Sequence, residues 1–227
     1  MVFKSFVLLI AISLSTLSAA WARPSNEITI PNDPGFNLKK GLDFASSPDN
    51  QKQVESAVDA AKKACEPHIG EANLAIAVDI DETLLDNREE YRAHQLDETK
   101  LDGWNWDDAS WDRWIDAAKA PSIKPVADFV RWAKVNKIAV FLITGRSVTQ
   151  RGATELNLKN ENIPFDEVFL KPINFKGRTE DFKTDYRRLI ETRGYTIICN
   201  IGDQESDLYG LHSADCEKLP DQMYFIK

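Results

Sequence analysis

The chain has 227 residues, 28% of them charged, and a formal net charge of -8, which becomes -9 without Lys4 of the leader described below. Such an acidic chain lacks the electrostatic footprint of a protein whose main partner is a nucleic-acid polymer or an anionic membrane. Its length suits one domain with an ordinary core, and its three cysteines, Cys65, Cys199 and Cys216, allow at most one internal disulfide.

The first residues read as a secretory leader. Lys4 supplies a basic start, residues 6–14 an apolar run, and Ala20-Trp21-Ala22 a small-x-small site before Arg23-Pro24. The pattern predicts a signal peptide over residues 1–22, cleaved near Ala22 with Ala20 as the nearby alternative, and hence a periplasmic or secreted protein. The apolar run is too short to span a bilayer, and no cysteine near the cleavage site offers a lipid attachment point, so no membrane anchor is expected. Residues 23–48, rich in Pro, Asn and Gly, read as an extended N-terminal arm. The remainder, 49–227, is expected to be one domain.

That domain opens with helical spacing: Val54, Ala57, Val58, Ala61 and Cys65 share a face until Pro67 and Gly70 end it. Residues 74–80 form an unbroken apolar run, the pattern of a strand buried on both sides, and it ends in acid at Asp79 and Asp81. On extended backbone these two carboxylates project to the same side. Two charges that close repel by roughly 4 kcal/mol at an effective dielectric near 20, so a cation or a reaction explains them better than fold stability does. Residues 86–136 read as a small helical insert in which Trp104, Trp106, Trp111 and Trp114 crowd together. These indoles either pack the insert onto the core or wall a cleft against which a planar substrate group stacks.

A second buried strand, 138–143, stops at Thr144-Gly145-Arg146, and a helix follows over 149–160. A short strand at 168–170 ends at Lys171, a helix covers 181–193, and a strand at 196–201 ends at Gly202-Asp203, with Asp207 four residues on. Residues 223–226 could add one more strand. Cys199 lies in an apolar run and reads as a small core residue; if any pair forms, Cys65 with Cys216 is the expected one. No cysteine spacing resembles a zinc site. His68, His94 and His212 stand in no catalytic pattern.

Strands alternating with helices predict an α/β, Rossmann-like three-layer α/β/α fold with a parallel sheet and a small Trp-rich insert after its first strand. The C-terminal strand ends then share one crevice. Collected there are oxygen ligands for a hard cation, a hydroxyl and a backbone amide for an oxyanion, and a lysine. Oxygen donors completed by phosphate suit Mg²⁺.

Asp79-Ile80-Asp81-Glu82-Thr83 resembles the DxDx[TV] motif of the haloacid dehalogenase superfamily. Thr144, a lysine and Gly202-Asp203-x-x-x-Asp207 resemble its other three motifs, in the right order. Within it the chain is similar to the acid phosphatase group that holds class B and class C enzymes and plant vegetative storage proteins. The resemblance implies an exported, Mg²⁺-dependent phosphomonoesterase. Asp79 is then the nucleophile that forms a phospho-aspartate, and Asp81 the acid and base. The cation is held by Asp79, the Asp81 carbonyl and Asp203, with Asp207 behind them or bound through water. Thr144 and Gly145 are expected to hold phosphoryl oxygens, and Arg146 either contacts substrate or is a solvated helix-start arginine. Lys183, in Lys183-Thr184-Asp185-Tyr186-Arg187, is favoured over Lys171 as the phosphate lysine because it resembles the family's element. The expected substrate is a small phosphomonoester, nucleoside monophosphates among the candidates if the tryptophans stack bases. Two rivals stay open: a storage or binding protein of the vegetative-storage type, and a phosphotransferase to an acceptor other than water. Neither oligomeric state nor the natural ester is encoded in these patterns.

Overall fold

The computed structural model describes residues 28–29 and 37–226. In chain order these form β1 (Ile28–Thr29), α1 (Leu38–Ala45), α2 (Pro48–Cys65), β2 (Leu74–Val78), α3 (Arg88–Glu90), α4 (Asp108–Ala117), α5 (Lys124–Val135) and β3 (Ala139–Ser147). They continue as α6 (Arg151–Asn160), β4 (Glu167–Lys171), α7 (Thr179–Thr192), β5 (Thr196–Gly202), α8 (Glu205–Leu208), β6 (Cys216–Lys218) and β7 (Phe225–Ile226). No helix among the described residues is long and apolar enough to cross a membrane. The expected signal peptide lies outside the described residues.

Every side chain of β2 is buried, and its two faces differ. Leu74, Ile76 and Val78 pack with Val58 and Ala61 of α2, Val126 and Val130 of α5, and Leu158 of α6. Ala75 and Ala77 point the other way and leave room for Phe141, Phe169 and the α7 residues Phe182 and Ile190. The strands run parallel in the order β4-β3-β2-β5-β6. This is the expected three-layer sandwich, with α2, α5 and α6 on one side and α7 on the other.

Three expectations need correction. The stretch read as an extended arm contains α1: the Asn37 side chain caps it by accepting from the Lys39 N–H at 2.9 Å, and Leu38 and Leu42 are fully buried. These leucines join Tyr91, Trp104, Met223 and Tyr224 in a separate apolar cluster, so α1 belongs to the domain. Helix α5 is likewise a layer of the main core, because Val126, Ala127, Val130 and Ala133 bury against it; the insert is thereby confined to the segment before it. Finally, Cys65 and Cys216 do not pair. Cys216 is exposed beside Ser213 Oγ, at 2.8 Å, whereas Cys65 is buried against the Cys199 thiol. The tail strand exists as β7, but it pairs antiparallel with β1 in a second, two-stranded sheet.

If α1 is part of the fold, Leu42→Ala should destabilise the protein by about 2–4 kcal/mol. Urea unfolding followed by tryptophan fluorescence measures it; an unchanged midpoint would mean that the helix is a dispensable appendage.

Candidate active site

The chain runs from β2 outward through β3 to β4, then crosses back to place β5 on the other side of β2. Loops leaving β2 and β5 therefore diverge, and a crevice opens between them at the strand ends. The Asp79 N–H donates to the Ile201 carbonyl at 3.0 Å, which ties the two strand ends together. Asp79, Asp203 and Asp207 are buried there, and each offers a carboxylate oxygen within 4.8 Å of the others.

Lys183, near the start of α7, reaches into this group. Its Nζ donates to Asp79 Oδ1 at 2.5 Å and to Asp207 Oδ1. Burial alone would lower this lysine, but Asp207 and Asp79 outweigh it and hold the ammonium well above its ordinary range. One cation does not neutralise three acids. Burial, then Asp207, pushes Asp79 up to about 7 in spite of Lys183, and Asp203 is raised by burial, Asp207 and Asp79. An oxygen-only donor set with surplus buried negative charge fits a hard divalent cation.

The acids are held from outside. Thr83 Oγ1 donates to Asp203 Oδ1 at 2.8 Å and Gln204 Nε2 to Asp203 Oδ2 at 2.7 Å. Asp207 Oδ2 accepts from the Gln204 N–H at 2.9 Å. A Cβ on Gly202 would stand 2.4 Å from the Asp207 side chain, so the strand end needs glycine for Asp207 to fold back over it. Arg187, one turn beyond Lys183 and fully buried, donates to the carbonyls of Asp207 and Tyr209 and fixes the loop after α8.

Asp81 is arranged differently. It is partly exposed, and its carboxylate accepts from Arg146 Nη2 at 2.7 Å, Arg146 Nε at 3.0 Å and Asn87 Nδ2 at 2.9 Å. Arg146 is therefore not a solvated arginine; its side chain is 1% exposed and engaged by Asp81. Thr144 is buried, with Oγ1 accepting from the Arg146 N–H at 3.1 Å and 3.5 Å from Asp81. Gly145 lines the cleft with no atom near its missing Cβ. Lys171 also lines the cleft, but Lys183 is the lysine that meets Asp79.

Glu82, which carried no role in the sequence, lies behind Asp81 with backbone φ of 58°. Its buried carboxylate accepts from the hydroxyls of Tyr91 and Tyr224, both at 2.7 Å, and from Asn87 Nδ2 at 2.8 Å. Burial and Asp81 push its pKa up to about 8. The tryptophans divide into two pairs by where they face. Trp104 and Trp114 are 5% exposed and pack inward, whereas Trp106 and Trp111 line the cleft of about 650 Å³ in front of the acids.

Residues 37–227 match the family model described as HAD superfamily, subfamily IIIB (acid phosphatase). The chain belongs to this family. Among curated relatives it is 32% identical to acid phosphatase 1 of Solanum lycopersicum over 151 residues, 65% of this chain and 57% of that protein. It is 28% identical to the stem 28 kDa glycoprotein of Glycine max over 154 residues, 65% of this chain and 58% of that one. The match thus spans less than two thirds of either relative. Among solved structures, the class C acid phosphatase from Bacillus anthracis superposes with a TM-score of 0.68 at 18% identity, covering 83% of this chain and 85% of that one. Its fold is the fold found here.

The acid cluster has a consequence for stability. An acid raised by burial binds more protons folded than unfolded, so the contribution of Asp79 declines as the pH climbs from its ordinary 3.8 to about 7. A divalent cation relieves that cost. The rise in melting temperature on adding MgCl₂ should therefore be larger at pH 7 than at pH 5, as scanning fluorimetry will read; an equal rise at both would contradict the cluster as the binding site.

Proposed function

We propose that the chain is an exported acid phosphatase that hydrolyses phosphomonoesters with Mg²⁺ and carries the phosphoryl group on Asp79. The observation that supports this best is the Asp79 carboxylate at the mouth of β2, bridged by Lys183 and grouped with Asp203 and Asp207 at the floor of a cleft. Asp79, the Asp81 carbonyl and Asp203 would hold the cation, with Asp207 behind them. Bound there, it supplies Lewis-acid charge that offsets the repulsion between an anionic nucleophile and an anionic ester.

In the first step an Asp79 oxygen attacks phosphorus and the bond from phosphorus to the alcohol oxygen breaks. Asp81, which must enter this step protonated, gives its proton to the departing oxygen and is left as the carboxylate that Arg146 engages. Lys183, Thr144 and the Gly145 N–H, at the irregular end of β3, hold the equatorial oxygens as charge builds. In the second step Asp81 takes a proton from water, the water oxygen attacks phosphorus, and the bond to Asp79 breaks to release phosphate. Nothing in the residues restricts the acceptor to water, so transfer to another hydroxyl uses the same groups.

The test is phosphate release from 4-nitrophenyl phosphate. Asp79→Asn is expected to lose at least about 10³-fold in kcat, and EDTA to abolish a turnover that MgCl₂ restores. Undiminished activity in the variant would sink the mechanism, and EDTA-insensitive turnover would remove the cation. A second assay in the presence of an alcohol separates hydrolysis from transfer, by alkyl phosphate among the products. For export, the N-terminus of the secreted protein should fall near Arg23; retention of Met1 would refute the leader.

A further inference from the structure

The core and the insert line the cleft with different charged groups, and only the core brings cations, which stand beside its four acids Asp79, Asp81, Asp203 and Asp207. These cations, Arg146, Lys171 and Lys183, come from β3, β4 and α7 of the core. The insert contributes Tyr91, Trp106, Trp111, Asp108 and Asp112 and brings no cation to the lining. Both of these acids are exposed. Asp108 accepts from the Trp106 indole N–H at 2.7 Å, and Asp112 from Gln150 Nε2 at 2.8 Å. These donors are neutral, so among the described residues no ion pair offsets either carboxylate.

The rings are arranged as a corner. Trp106 and Trp111 touch at 5.5 Å between centroids with planes tilted by 45°, and Trp111 stacks directly on Tyr91 at 5.7 Å. Rings already in contact leave no gap in which a planar base is sandwiched, and Trp111 gives one of its faces to Tyr91. Tilted faces flanked by carboxylates instead offer an electron-rich wall of the kind that holds an ammonium group. Arg146, Lys171 and Lys183 stand at the phosphate position among Asp79, Asp81, Asp203 and Asp207, and the insert adds two further acids and aromatic faces with no cation of its own.

We infer that the phosphomonoesters taken best by this cleft are those of ammonium-bearing alcohols, small phosphorylated amino alcohols, with Asp108, Asp112, Trp106 and Trp111 receiving the cation. This substrate class rests on the phosphatase reading above. It replaces base stacking as the role of the cleft-facing tryptophans.

The test compares choline phosphate with 3,3-dimethylbutyl phosphate, its neutral carbon isostere. Wild type should show kcat/KM about tenfold higher for the cationic ester, and Asp108→Asn/Asp112→Asn should bring the ratio close to one. Because each ratio is taken within one protein, a general loss of activity in the variant does not disturb it. A wild-type ratio near one, a ratio that survives the double substitution, or faster turnover of adenosine 5'-monophosphate than of choline phosphate would each overturn the inference. If neither these esters nor 4-nitrophenyl phosphate is hydrolysed, the phosphatase reading has failed instead. Tryptophan fluorescence titration with choline against 3,3-dimethylbutanol then decides the ammonium site without turnover: tighter choline binding supports it, and equal binding overturns it.

Discussion

Three carboxylates buried within 4.8 Å of one another, with one lysine between them, are the constraint on which the rest of the structure depends. Each pair of such charges repels by about 3–4 kcal/mol at an effective dielectric near 20, and burial adds a desolvation cost for each. A sheet that gathers them must therefore be stabilised elsewhere. The apolar layers on both faces of β2, β3 and β5 supply that stability. The surplus negative charge is what suits the site to a divalent cation.

The acids are also held by neutral donors that fix direction without cancelling charge. Thr83 and Gln204 grip Asp203, the Gln204 N–H grips Asp207, and Asn200 donates to the Asp207 carbonyl, which the Arg187 guanidinium also engages. Gln204 in turn reaches Asp221 and the Tyr224 carbonyl, and Glu82 is bonded by Tyr91 of the insert and Tyr224 near the C-terminus. The segment after β6 is thus a wall of the site. Helix α1 packs on that same segment: a Cβ on Gly41 would lie 2.3 Å from the Gln222 carbonyl oxygen. The two ends of the domain are coupled to the acid cluster through this contact.

The sheet was legible where strands are buried on both faces, because such strands read as apolar runs, and β2, β3 and β5 all do. Strand β6 was not, because Cys216-Glu217-Lys218 is short, polar and at the sheet edge. Helix α1 was masked by its Pro- and Asn-rich surroundings, and its buried leucines acquire meaning only against residues from the far end of the chain. In the site, Asp79, Asp81, Asp203 and Asp207 announced themselves by ending or following apolar runs. Lys183 lies inside a helix, where spacing alone gives it no distinction, and only resemblance singled it out. The pairing of Arg146 with Asp81 and the grip of Thr83 on Asp203 join residues 65 and 120 positions apart. A single sequence holds no record of such contacts. Cys65 and Cys199 show the same limit: their proximity follows from α2 packing on β5, not from their spacing.

In the proposed mechanism a carboxylate oxygen of Asp79 receives the phosphoryl group, and Asp81 serves the departing oxygen and then the incoming water. The most direct test is to catch that group on the protein. Asp81→Asn lacks the base for the second step, yet 4-nitrophenolate can leave without an acid, so the variant should accumulate phospho-enzyme when mixed with 4-nitrophenyl phosphate and MgCl₂. After acid quench and digestion, mass spectrometry is expected to find the phosphoryl group on the peptide containing Asp79, at that residue. Release of 4-nitrophenol with Asp79 unmodified, or the group found on another side chain, would contradict the account.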